Sequence, residues 1–88
     1  MYLYSVYDSK AESWYAPFIA DNAGLACRFL SDSLRGSATV LSNHPDDFSL
    51  WRVGSWDPVS AAIVPQIPPE HVSSVRGVLE NGGDDGSA

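Results

Sequence analysis

The alternation of side chains in residues 1–20 predicts two β-strands. Residues 2–7, YLYSVY, are aromatic and β-branched, and both faces of this strand hold bulky side chains: Tyr2, Tyr4 and Val6 on one face, Leu3, Ser5 and Tyr7 on the other. This bulk places the strand inside its sheet, with Tyr4 and Val6 facing the core. After the turn DSKAES, residues 14–19, WYAPFI, predict a second strand. Pro17 donates no ladder hydrogen bond, so the second strand is expected at an edge or with a bulge.

The clearest pattern is an amphipathic helix between Asp21 and Gly36. Asp21 and Asn22 are candidate N-cap residues, and Gly36 is the glycine expected just after the helix. Five small or apolar residues share one face at helical spacing and predict a core stripe: Ala23, Ala26, Cys27, Leu30 and Leu34. Leu25 and Phe29 form a second apolar surface on a nearly opposite face. That surface has two interpretations. A loop or the C-terminal segment covers it, or it contacts another subunit.

The second half of the chain predicts two further strands. Residues 36–43 are expected to be a loop, and NHPDD, residues 43–47, a turn or single helical turn capped by its asparagine. Residues 48–56, FSLWRVGSW, and residues 61–67, AAIVPQI, predict strands on either side of the turn DPVS.

The C-terminal part predicts a second helix and a tail. Residues 68–70, PPE, would begin the helix, in which apolar side chains recur on one face at Val72, Val75 and Leu79. Residues 81–88, NGGDDGSA, predict a disordered acidic tail. The order β-β-α-β-β-α therefore predicts one small α+β domain over residues 1–80, with an antiparallel sheet of about four strands and two helices.

Composition and charge narrow the class of protein. The chain has 88 residues, of which 44% are hydrophobic, as in a small globular domain and unlike a disordered chain. The net charge of −6 argues against capture of nucleic acid by bulk charge, although it leaves room for a local basic face. A single cysteine excludes an internal disulfide and favours an intracellular protein. No signal peptide and no membrane-spanning run are recognisable, so a soluble cytoplasmic protein is expected.

Catalytic and metal-binding patterns are weak. His44, Asp46 and Asp47 lie in one turn, whereas a metal site gathers ligands from separate segments with supporting contacts. Serine, histidine and aspartate occur outside any nucleophile elbow, and no phosphate-binding loop is present. Cys27 falls on the core stripe and is expected to be a small buried hydrophobe. These features predict a non-enzyme without a metal or cofactor.

Four cations and three rings form a candidate face for single-stranded nucleic acid. Single-strand binding combines cations with aromatic rings on which bases stack. The candidates are Lys10, Arg28, Arg35, Arg52, Trp14, Tyr15 and Trp51. The alternative is that Arg28 and Arg35 lie on a solvated helix face, with Arg28 paired to Asp32, and that most of the rings are core. Trp14 and Tyr15 should point to opposite sides of their strand, so at least one is available to a partner.

Several motifs in fixed order resemble a known phage family. In this sequence they are Tyr4-Ser5-Val6-Tyr7-Asp8-Ser9-Lys10, Pro17-Phe18, Asn22, Ala26-Cys27-Arg28-Phe29, His44-Pro45-Asp46-Asp47-Phe48-Ser49-Leu50 and Gly54-Ser55-Trp56-Asp57. Together they resemble the small nonstructural protein of gokushoviruses and related microviruses, phages with circular single-stranded DNA genomes. The resemblance covers about the first 60 residues. Phe29 directly follows Arg28 here, where the family pattern is Ala-x-Arg-x-Phe.

The resemblance implies a DNA-associated protein of phage replication in the host bacterial cytoplasm. By analogy with the C-type protein of related phages, it would switch synthesis from duplex replication to single strands coupled to packaging. It transfers no catalytic residue. We therefore expect a homo-oligomer that binds single-stranded DNA or the replication complex, with Leu25 and Phe29 at the subunit contact.

Two alternatives have different chemistry. One is a protein-interaction module that contacts the replication initiator, the procapsid or a host factor without touching DNA; the net charge of −6 favours it. The other is an acidic decoy that mimics nucleic acid, to which Asp46, Asp47 and the acidic tail point. Convergence of the four cations on one face would favour direct DNA contact.

Overall fold

Five antiparallel strands form one sheet in the computed structural model, which describes residues 1–36 and 38–82. The strands are β1 (Tyr2–Asp8), β2 (Ser13–Trp14), β3 (Phe18–Ala20), β4 (Phe48–Trp56) and β5 (Ile63–Ser74). Across the sheet the order is β2-β1-β4-β5, and β3 pairs with β1 beside β2. The α+β class and the antiparallel sheet are thus as predicted, and β1 lies inside the sheet.

The predicted second strand is divided into β2 and β3. Pro17 lies between them, and both short strands pair only with β1, so they form one edge of the sheet. The Tyr15 N–H still donates to the Val6 carbonyl at 2.8 Å. The Ser5 hydroxyl donates to the Tyr15 carbonyl at 2.6 Å, which holds the interrupted segment against β1. The interruption follows from the missing proline donor.

Helix α1 (Ala23–Leu34) has the predicted boundaries. The Asn22 side chain accepts a hydrogen bond from the Leu25 N–H at 2.9 Å, and Gly36 has a positive φ of 71° just beyond the helix. Most of the predicted stripe faces the core: Ala26, Leu30 and Leu34 are buried and Cys27 is half-buried. Ala23 is exposed, because it lies in the first turn at the end of the helix.

A short helix replaces part of the predicted loop. Helix α2 (Val40–Asn43) begins after Thr39, whose hydroxyl accepts from the Ser42 N–H at 3.2 Å. The Ser42 hydroxyl in turn accepts from the Thr39 N–H at 2.9 Å, which completes a capping box. The prediction of a loop here, with Asn43 as the cap of a later turn, was wrong, because a serine stands in place of the usual glutamate of this motif.

The predicted helix from residue 68 was wrong over its first half. Residues 68–74 belong to β5, and helical structure begins only with α3 (Val75–Gly77), which continues as a π-helical turn (Val78–Gly82). β5 is an edge strand, a position where prolines are tolerated, and Pro68 and Pro69 lie where its register with β4 shifts. The Ser74 hydroxyl accepts from the Gly77 N–H at 3.0 Å and caps α3. Residues 83–88 of the predicted tail lie outside the described residues.

The helices and the buried core lie on one face of the sheet. The fully or nearly buried hydrophobic residues are Tyr4, Val6, Ala26, Leu30, Leu34, Leu41, Phe48, Leu50, Val75 and Val78. Those from β1 and β4 share a face because their register pairs Val6 with Leu50. None of the described helices has the length and apolar character needed to cross a membrane. The opposite face of the sheet is left without a helix over it in the described chain.

Candidate functional site

Four rings form a row on the face of the sheet that the helices do not cover. We call it the aromatic row, and it consists of Tyr7 on β1, Trp14 on β2, Trp51 on β4 and His71 on β5. Ring centroids are 4.8 Å apart between Tyr7 and Trp14, 5.8 Å between Trp14 and Trp51, and 5.1 Å between Trp51 and His71. Four of the five strands therefore each contribute one ring to a continuous surface.

The strand register creates this row. Tyr7 pairs directly with Trp14, and Trp51 pairs with Ser5 on one side and His71 on the other. Directly paired residues project from the same face, opposite to the core face of Tyr4 and Val6. The Trp51 indole N–H also donates to the Ser49 hydroxyl at 2.7 Å, which fixes the ring over β4.

The row is accessible to a partner. Trp14 is 45% exposed, His71 is exposed, and Tyr7 and Trp51 are half-buried. Isolated apolar residues on a surface are ordinary, but adjoining rings on one uncovered face are a candidate interaction site. Tyr15 points to the other side of the sheet, as expected from its position next to Trp14, and its ring meets Phe48 edge-on at 6.1 Å.

An apolar groove adjoins the aromatic row. It has a volume of about 320 Å³ and is lined by Ser5, Trp14, Tyr15, Pro17, Val53 and Pro69. The groove is lined from both sides of β1. β2 and the segment after it lie on one side of β1, and β4 and β5 lie on the other. No lining residue is charged. The groove therefore suits an apolar or planar uncharged group.

Arg52 lies on the opposite face from its neighbour Trp51. It pairs in register with Tyr4, and its guanidinium stands 4.5 Å from the centroid of the Tyr2 ring. Its Nε donates to Gln66 Oε1 at 2.9 Å, and it forms an ion pair with Glu70. Burial raises the pKa of the Tyr4 phenol, which the nearby Arg52 charge partly offsets. Arg52 is thus engaged on the core side of the sheet.

The two arginines of the α1 region are also separated from the row, and Lys10 lies in a turn. Arg28 lies on α1, which covers the core face, and Arg35 is the C-cap residue of this helix, with its Nε 3.8 Å from Asp32 Oδ1. Lys10 lies in the turn between β1 and β2, where its backbone N–H donates to Asp8 Oδ1 at 2.9 Å. The expected common face of four cations and three rings is not formed, since α1 packs on one side and Trp51 projects from the other.

Leu25 and Phe29 remain accessible in the described chain. They are 38% and 55% exposed, respectively. The Phe29 ring packs on Phe18 with centroids 4.9 Å apart, so this surface continues from α1 to β3. The alternative in which a loop or the C-terminal segment covers them is not realised within the described residues.

The His44-to-Asp47 turn is built into the scaffold. Asp46 forms two hydrogen bonds with Arg76, at 2.6 and 3.0 Å, and the Arg76 hydrogen bond lowers the pKa of this carboxyl. The Asp47 carbonyl accepts from both the N–H and the hydroxyl of Ser9, each at 3.0 Å. Within residues 1–36 and 38–82, no three His, Cys, Asp or Glu residues are placed to hold a metal ion. These contacts connect the turn to α3 and to the first hairpin.

Tyr7 and His71 were not predicted as members of the site. Strand alternation predicts Tyr7 on the face opposite Tyr4, and this alternation is a usable signal for its place on the uncovered face. The sequence predicts a helix at His71, and its position beside Trp51 follows only from the register of β5 with β4.

The fold and site define a small α+β protein that presents an aromatic sheet face. The chain belongs to the Phage ORF5 protein family, whose model matches residues 1–78. It is therefore a phage protein, and the match extends past the first 60 residues into β5 and α3. No curated protein and no solved structure matches the chain.

Proposed function

We propose that this phage protein is a non-enzymatic nonstructural protein of the gokushovirus and microvirus type. It binds single-stranded DNA, alone or within the replication complex, during genome synthesis and packaging in the host cytoplasm. Membership of a phage family supports the general setting, and the ordered motifs from Tyr4 to Asp57 support the particular viral group.

The observation on which DNA binding depends most is the aromatic row. Unpaired bases stack on exposed rings of a sheet face, and every base has a face that can do so. Trp14 and Trp51 offer the largest rings, and Tyr7 and His71 extend the surface across the sheet. Duplex DNA hides its base faces, so this surface favours single strands.

The charges indicate that stacking provides more of the affinity than phosphate contacts. The net charge is −6, and Arg28, Arg35 and Arg52 lie on the other side of the sheet from the row. Binding should therefore weaken only slightly with added salt, because few counterions are released from the DNA. A steep salt dependence would instead point to the cations as the contact.

The proposal is tested by fluorescence anisotropy with labelled oligodeoxythymidylate and a labelled duplex. We expect the wild-type protein to bind the single strand in preference to the duplex. Trp14→Ala and Trp51→Ala should each lower affinity by about 1–3 kcal/mol, the value of one base–ring stack. Trp56→Ala is the matched control, because Trp56 contacts no ring of the row.

Absence of binding to either DNA at low salt, by protein with a native circular dichroism spectrum, would reject the proposal. Equal losses in the Trp56 variant and the two row variants would also contradict it, since they would reflect general damage to the sheet.

A protein-interaction module is the second candidate, and the separation of cations from rings favours it. An uncharged aromatic face on an acidic protein also suits a protein partner, because interfaces are enriched in tryptophan and tyrosine at their centres. The partner would be the replication initiator, the procapsid or a host factor. Loss of such an interaction in the Trp14 and Trp51 variants, with no DNA binding by the wild type, would favour this candidate.

Self-association is part of the proposal. Leu25 and Phe29, with the adjoining Phe18, form an accessible apolar surface on the core side of the sheet. A dimer formed there would leave the aromatic row of each copy free. Two rows in one particle would then bind one long strand with greater avidity than a single row.

A further inference from the structure

We propose that the apolar groove beside the aromatic row holds one nucleobase of the bound strand. This rests on the proposed function and specifies which part of the DNA enters which site. The groove contacts the base, and the sugar-phosphate chain remains outside it.

The position of the groove suits a base that is unstacked from the adjoining bases of the strand. Its floor includes Ser5, a small buried residue of β1 that pairs in register with Trp51. Trp14 belongs both to the groove lining and to the row. A strand stacked on the row therefore has the groove directly beside it, within reach of an adjoining base.

The chemistry of the lining selects a base over a phosphate. The lining residues are Trp14, Tyr15, two prolines, a valine and a serine, and none has a charge to neutralise a phosphate. The Ser5 hydroxyl donates its hydrogen to the Tyr15 carbonyl, so it has no donor left for a base edge. Recognition mainly by shape and stacking tolerates any base, and the groove is expected to show little sequence preference.

Arg52 acts on this groove from the other face as a positioning residue. Gly54 pairs with Pro65 and Arg52 pairs with Glu70, so the segment between those two β5 residues bulges opposite Val53. Arg52 holds both ends of the bulge through Gln66 and Glu70. Pro69 lies within the bulge and lines the groove.

The groove is tested by filling it. Val53→Phe places a larger side chain in the lining, and Val59→Phe is the control, because Val59 is 94% exposed and outside the groove. In the anisotropy assay with oligodeoxythymidylate, Val53→Phe should weaken binding at least about fivefold, the lower end of one lost stack, while Val59→Phe leaves it unchanged. Both variants should keep the native circular dichroism spectrum.

A second arm tests whether the occupant is a base. An oligonucleotide of the same length with abasic sites keeps the phosphates and loses the bases. Wild-type protein should bind it much more weakly than oligodeoxythymidylate, and Val53→Phe should bind both poorly. Oligodeoxyadenylate should bind within a few-fold of oligodeoxythymidylate, since stacking depends little on which base is bound.

The outcomes separate this inference from the proposed function. If wild type binds single strands through Trp14 and Trp51 but Val53→Phe binds equally well, the groove assignment is wrong and the function stands. If wild type binds no single strand, both are wrong. Equal affinity for the abasic and intact strands would overturn the base assignment as well.

The positioning role of Arg52 has its own readout. Arg52→Gln should weaken binding and leave the slope of affinity against salt concentration unchanged, because no phosphate contact is lost. A residue that contacts phosphate would instead reduce that slope by about one. Arg52→Lys should restore part of the affinity through its pair with Glu70. A reduced slope in Arg52→Gln would make Arg52 a DNA contact and overturn its positioning role.

Discussion

Neighbouring residues in this protein have different roles because strand alternation places them on different faces. Trp51 joins the aromatic row, whereas Arg52 lies on the core side between Tyr2 and Glu70. The sequence alone suggested that both contacted DNA, since a cation beside a tryptophan is typical of single-strand binding sites. Two adjacent residues of a β-strand project their side chains to opposite faces of the sheet.

The Asp46–Arg76 pair should contribute to stability at neutral pH and lose that contribution in acid. Arg76 lowers the pKa of Asp46 below its ordinary value of 3.8, because the ionised carboxylate is more stable in the folded state than in the unfolded chain. This stabilisation is present above pH 3.8 and disappears as the pH falls through the lowered folded value. Asp46→Asn should reduce the free energy of unfolding at pH 7. The free energy of unfolding should also fall less on acidification in this variant than in the wild type.

Urea unfolding at several pH values measures this effect, with Asp32→Asn as the control. Asp32 is exposed, and its Oδ1 lies 3.8 Å from Arg35 Nε, farther than in the bidentate Asp46–Arg76 pair. Asp32→Asn should therefore change the free energy of unfolding less than Asp46→Asn does. An acid dependence identical in wild type and Asp46→Asn would contradict the assignment.

Burial should make the Cys27 thiol slow to react. Cys27 packs against the core from α1, and burial raises the pKa of its thiol, which leaves less thiolate at a given pH. Native protein at pH 8 is expected to react with a thiol reagent more slowly than the same protein in denaturant. Equal rates in the two conditions would show that the thiol is not protected.

The elements differ in how far local sequence determined them. β1, α1 and β4 were predicted closely, because each has a strong pattern and clear boundary residues such as Asn22 and Gly36. The C-terminal helix was misplaced because Val72, Val75 and Leu79 match helical spacing by chance across a strand–helix boundary. Both Val72 and Val75 contact the core, one from β5 and the other from α3. The edge position of β5, which made its prolines acceptable, could not be known before the sheet order.

The candidate site was predictable only in part, because it depends on how the strands pair. Trp14 and Trp51 could be nominated as individual rings, and β-strand alternation indicated that Tyr7 faced away from the core. Their meeting in one row depends on the pairing of Tyr7 with Trp14 and of Ser5 with Trp51. Register is a property of two strands together, so no single segment specifies it.

The β4–β5 pair requires glycine at position 54. A Cβ at Gly54 would lie 2.7 Å from the Val64 carbonyl oxygen, so the two strands must separate to admit it. Gly54→Ala should lower the free energy of unfolding by about 1–3 kcal/mol. Gly24→Ala, in the first turn of α1, should raise it by about 0.5–1 kcal/mol, because alanine favours the helix. Thermal unfolding compares the two, and a stable Gly54 variant would contradict the close approach.

The described part of the chain presents accessible apolar surfaces on both sides of the sheet. The aromatic row lies on one side of the sheet, and Leu25 and Phe29 lie on α1, on the other. A small domain buries a modest fraction of its surface, so association of copies is a common source of added stability. This arrangement is compatible with the proposed self-association and the proposed DNA binding occurring together.

Self-association should depend on the α1 surface. Replacing both Leu25 and Phe29 by serine is expected to shift sedimentation toward the monomer and to lower the concentration dependence of thermal unfolding. Val59→Ser serves as the control, since Val59 is 94% exposed and distant in the chain from α1. A wild-type protein that is monomeric at high concentration would contradict self-association through this surface.

Binding of single-stranded DNA by the aromatic row can be tested by following the indole N–H signals in a nitrogen–proton correlation spectrum during titration with oligodeoxythymidylate. The chain has three tryptophans, so each indole can be followed separately. We expect the signals of Trp14 and Trp51 to shift or broaden together while that of Trp56 stays in place. Unchanged indole signals, or changes confined to Trp56 or to the backbone of α1, would show that the aromatic row does not bind single-stranded DNA.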